Sequence, residues 1–84
     1  MKYEVTISDI MKNDFGVDVR VVHAQSKRFG RHIFTIDFVA RQKEQDGKVY
    51  TVLTRHPLLQ HGYPWKVIEK PLGEITKEDV ENVL

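Results

Sequence analysis

Eighty-four residues, 40% of them hydrophobic and 10% aromatic, suit one small domain near the lower end of what a single core stabilises. Thirteen Lys and Arg against twelve Asp and Glu leave a formal charge of +1, short of the basicity that makes nucleic acid the default partner. With no cysteine, a disulfide framework, a thiolate metal site and a cysteine nucleophile are excluded, and stability has to come from packing.

No apolar run approaches the roughly 18 to 20 residues that span a bilayer, and Glu4 and Asp9 interrupt YEVTISDIM where a signal peptide needs an apolar stretch. These features predict a soluble, cytoplasmic chain, folded as one domain over 1–84, without a membrane partner. Charge is polarised along it: KRFGRH, Lys27 to His32, holds no acid, whereas Glu74 to Leu84 holds four acids and one lysine.

At the N-terminus two periods compete. Tyr3, Val5 and Ile7 alternate as in a strand, but Tyr3, Ile7, Ile10, Met11 and Phe15 also share one helical face. Ser8 is placed to cap a helix opening on Asp9, and Gly16 to stop it, so the pattern predicts a helix over about 8–15. Val17, Val19 and Val21 then alternate with Asp18 and Arg20 as a half-buried strand. SKRFGRH reads as a loop with Gly30 as its turn residue.

From His32 to Arg41 the alternation is strong, with Phe34, Ile36, Phe38 and Ala40 on one face and Ile33, Thr35, Asp37 and Val39 on the other. Asp46-Gly47 is a type I′ hairpin signal, because both central positions need positive φ. A two-residue turn there pairs Gln45 with Lys48, Lys43 with Tyr50, Arg41 with Val52 and Val39 with Thr54. Arg41, Lys43 and Tyr50 then share one face, while Val49 and Leu53 join the apolar layer of the other, which the N-terminal helix is free to cover. Pro57 and Pro64 bound the loop HPLLQHGYP, Trp65 to Ile68 forms a last strand, and Thr76, with Glu78 and Asp79, caps a short helix to Leu84.

The predicted class is therefore α+β: a four-stranded antiparallel sheet with an N-terminal helix, a short C-terminal helix, and Phe34, Ile36, Phe38, Leu53 and Val67 in or near the core. The alternative is a small all-β barrel with the N-terminal segment as a strand. SDIMKNDFG, VYTVLT and PWKVIEKPLGE, in that order, resemble the layout of the phage uracil-DNA glycosylase inhibitor family. That resemblance implies a small α/β domain with an N-terminal helix and a curled antiparallel sheet, acting by binding another protein. The family works through a strongly acidic, DNA-like surface; the corresponding HAQSKRFG here contains no carboxylate, so no functional residue carries over.

Two candidate surfaces stand out. Leu58, Leu59, His61 and Tyr63 lie in a loop between prolines, where they either plug the core or anchor a protein partner, and Trp65 follows as a core candidate. Lys27, Arg28, Phe29 and Arg31 form a basic-aromatic loop suited to phosphates and a stacked base, or else a solvated turn. Arg41, Lys43 and Tyr50, joined by Thr35 and Lys66, extend that surface across the sheet or form a polar solvent face. His32, His56 and His61 lack the spacing of a zinc site, and no serine or aspartate completes a catalytic set with them, so neither metal nor cofactor is expected. The expected function is non-catalytic binding of a protein partner through the proline-bounded loop or a sheet edge, self-association included. Binding of single-stranded nucleic acid is the alternative.

Overall fold

A computed structural model describes residues 2–55 and 64–84 of the chain. Six strands form one antiparallel sheet: β1 (Lys2–Ile7), β2 (Met11–Lys12), β3 (Asp18–Arg28), β4 (Arg31–Gln45), β5 (Lys48–Arg55) and β6 (Pro64–Ile68). Their order is β1-β3-β4-β5-β6, with β2 beside β1 on the same flank of β3. A 3₁₀ turn at Leu72–Glu74 leads into the helix α1 (Lys77–Val83).

The predicted four-stranded sheet with an N-terminal helix is corrected in both respects. Residues 2–7 form a strand, paired with β3 from Lys2 opposite Lys27 to Ile7 opposite Val22. Alternating Tyr3, Val5 and Ile7 gain this ladder and bury Val5, which a helix over about 8–15 cannot supply. The supposed caps serve turns instead: Ser8 Oγ accepts from Val21 N, and Asn13 Oδ1 accepts from both Phe15 N and Val17 N, each at 2.8–2.9 Å. Gly16, at φ 75°, completes the Asn13 turn, a conformation a side chain disfavours. Ile10, Met11 and Phe15, which the helix was expected to bury, are exposed, Phe15 at 89%.

One face of the sheet carries the core. Val22 lies opposite Phe38, Ala24 opposite Ile36 and Ala40 opposite Leu53, and all six are buried. The Asp46-Gly47 hairpin has the expected register at all four pairs, and Asp46 and Gly47 both adopt positive φ. Phe34 is 39% exposed rather than buried. Val67, also expected in the core, is 52% exposed, because Thr51 pairs with Ile68 and turns Ile68 inward instead.

Helix α1 closes this face. Thr76 caps it through a reciprocal capping box with Asp79, and Leu72, Ile75 and Val80 are buried against the sheet, with Val83 and Leu84 packed beside them. The helix touches both β1 and β6, the two ends of the strand order, so it bridges the margins of a sheet that does not pair β1 with β6 among the described residues. Arg20 fastens the same region, donating to Ser8 O at 2.8 Å and to Leu72 O at 3.0 Å. The opposite face of the sheet has no layer over it among the described residues.

Candidate functional site

The uncovered face is built by strand register. Because antiparallel partners stand directly opposite one another, Met11, Val19, Arg41, Val52 and Val67 form one row across β2, β3, β4, β5 and β6. Val21, Val39 and Thr54 form the next row across β3, β4 and β5. Met11, Val17 and Val67 are 45%, 44% and 52% exposed, a density of aliphatic surface that a solvent face does not require.

A groove of about 470 Å³ lies on this face. Its apolar walls include Val17, Val52 and Val67, and Arg41, Lys43 and Tyr50 stand around them. No carboxylate lines it, and neither Arg41 nor Lys43 has an ion-pair partner among the described residues. Thr54 lines it too, and its buried Oγ1 has no hydrogen-bond partner among the described residues. Arg41, Lys43 and Tyr50 therefore share a face as the sequence predicts, but an aliphatic floor accompanies them. Lys66 is not part of it: it pairs with Leu53, in step with inward-facing Ile68. Met11, Val17 and Val67 were missed as site residues. The hairpin register sets Arg41, Lys43, Tyr50 and Val52 on one side, but carries no signal for these three, which lie outside β4 and β5.

The basic-aromatic loop is a tight turn rather than an open loop. β3 runs on to Arg28, and Phe29 and Gly30 alone connect it to β4, both at positive φ, 53° and 75°. Arg28 and Arg31 face each other across the strands, and the Arg28 guanidinium lies 5.5 Å from the centre of the Phe29 ring. Phe29 is 92% exposed. Lys27 is drawn away, ion-paired with Glu4, whose carboxyl is held below its usual range by the hydrogen bond and charge of Lys27. Arg31 and Arg41 are about 33 Å apart along β4, so the two halves of the expected basic surface are separate places.

Leu58, Leu59, His61 and Tyr63 lie outside the described residues, as do His56 and the side chain of Trp65. On the uncovered face His23 pairs through Nδ1 with Asp37 Oδ1, and Thr6 stands opposite His23. No hydrogen bond links Thr6 to His23, and both members of the pair are about half exposed, so no shielded nucleophile results. Among the described residues no group of three or more metal-ligating side chains comes together, and no helix is long and apolar enough to cross a membrane.

No family model, curated protein or solved structure matches the chain. The likeness to the glycosylase inhibitors thus stands on the segments quoted for it, and the N-terminal helix it implies is replaced by β1 and β2.

Proposed function

We propose that this protein is a non-catalytic binding module whose uncovered sheet face receives an acidic segment of a partner protein that also carries aliphatic side chains. One observation carries this proposal: an aliphatic groove crossed by two cations that are unpaired, and lined by no carboxylate, among the described residues. Val17, Val52 and Val67 offer apolar area whose burial is worth about 25 cal/mol per Å². Arg41 and Lys43 supply charge that selects an anionic partner and speeds encounter. Nucleic acid is disfavoured at this place because single strands are held chiefly by stacking on aromatic faces, and among the described residues the groove holds one aromatic, half-buried Tyr50, beside aliphatic ones.

The test is selection from a random peptide library on the immobilised protein. Enriched peptides should combine Asp or Glu with aliphatic residues, and should lose binding to Arg41→Glu and Val67→Asp variants. Enrichment of basic peptides, or binding indifferent to both changes, would exclude the groove as the site.

A further inference from the structure

Three local choices in the β3–β4 turn work against stability. Phe29 occupies a left-handed position where Asn, Asp or Gly is preferred. The residue is 92% exposed. Arg28 and Arg31 are placed directly opposite each other, although like charges at such a pair repel. Neither arginine has an ion-pair or hydrogen-bond partner among the described residues, and of the acids lining the cleft beside Phe29, Glu4 is ion-paired with Lys27 and Glu81 stands one helical turn from Lys77. Local conflicts of this kind gather where function requires them.

A single kind of ligand relieves all three conflicts together. An anion between the two guanidiniums removes their repulsion, and a flat apolar body joined to it covers the exposed ring. Guanidinium forks match phosphate oxygens bidentately, and a nucleobase is the flat body that stacks on an aromatic face. We propose that the turn formed by Arg28, Phe29, Gly30 and Arg31 is a contact site for single-stranded nucleic acid, with a phosphate between Arg28 and Arg31 and a base on Phe29. This site is independent of the groove: it lies at the far end of β4 and uses none of its residues.

Two substitutions separate binding from folding, since each improves the turn. Phe29→Asn places a favoured residue at positive φ, and Arg31→Glu turns the repelling pair into an attracting one. Binding of a labelled oligothymidylate is followed by fluorescence anisotropy, with thermal melting of each protein alongside. Wild-type binding should weaken by about 2.6-fold between about 50 and 200 mM salt, as expected for one neutralised phosphate on a single strand. Each variant should lose about tenfold or more in affinity while melting no lower than wild type, and Arg41→Glu should bind as wild type. The proposal is overturned by absence of wild-type binding at low salt, by variants that bind unchanged, by variants that melt lower, or by loss on Arg41→Glu. Retention on phosphatidylcholine–phosphatidylserine vesicles that Phe29→Asn abolishes, without oligonucleotide binding, would overturn it in favour of a lipid surface.

Discussion

Replacing Val80 by alanine tests whether α1 is held by its docking rather than by its own propensity. Seven residues are too few for a helix to persist alone in water, so tertiary contact has to supply the stability. Val80 is fully buried within the cluster that contains Val5, Ile68, Leu72 and Ile75. Removing two methyl groups forfeits about 1.6 kcal/mol of transfer free energy, and incomplete collapse of the space raises the loss to about 2–3 kcal/mol. For a domain of this size, with total stability on the order of 5–10 kcal/mol, that is a large share. Urea denaturation followed by circular dichroism measures the change, and amide exchange should show the amides of α1 losing protection ahead of β4. A loss under about 0.5 kcal/mol would refute the docked helix, because that is the range of an uncoupled surface substitution.

Two further outcomes follow from the contacts. The Asp79 carboxyl is held below its ordinary range, first by the Lys70 ammonium and then by the Thr76 backbone. Since its folded form titrates lower than its unfolded form, ionised Asp79 stabilises the fold above the ordinary carboxylate range, and this contribution is lost as pH falls through the folded value; an Asp79→Asn variant should show a shallower acid melting profile than wild type. Arg20→Met should cost about 1.5–3 kcal/mol, because Arg20 donates to two backbone carbonyls that hold the N-terminal turn and the 3₁₀ turn to β3; a melting temperature within a degree of wild type would count against that bracing role.

The central part of the fold was legible because its signals agree. In β4 and β5 the alternation, the Asp46-Gly47 turn and the hairpin register all specify the same pairing. At the C-terminus Thr76 and Asp79 write a capping box just before an apolar stripe, and both are used as written. The N-terminus misled because Tyr3 and Ile7 fit two periods at once. Sequence alone gives no weight to a ladder with a strand ten or more residues away, and that ladder decides the matter. Ser8 and Gly16 are good cap residues and equally good turn residues, so they reinforced the wrong period. Val67 failed for a narrower reason: a shift in register between Leu53 and Thr54 sets which of two adjacent aliphatic residues faces inward.

Of the candidate sites, the shared face of Arg41, Lys43 and Tyr50 was legible from the hairpin alone, but its continuity with the Lys27–Arg31 loop was not supported by the geometry. Between them the same face of β4 presents Thr35, Asp37 and Val39, and Asp37 is acidic. The nearby cations are already engaged, His23 with Asp37 and Lys27 with Glu4. An anionic strand laid along β4 from the tip to the groove would thus pass about 33 Å over a stretch that offers it no unpaired cation among the described residues and one like charge. The two ends differ in chemistry as well as place. The tip presents an aromatic face and two guanidinium forks, while the groove presents valine walls beside one guanidinium and one ammonium. That difference is why we propose an acidic polypeptide for the groove and a nucleotide unit for the turn.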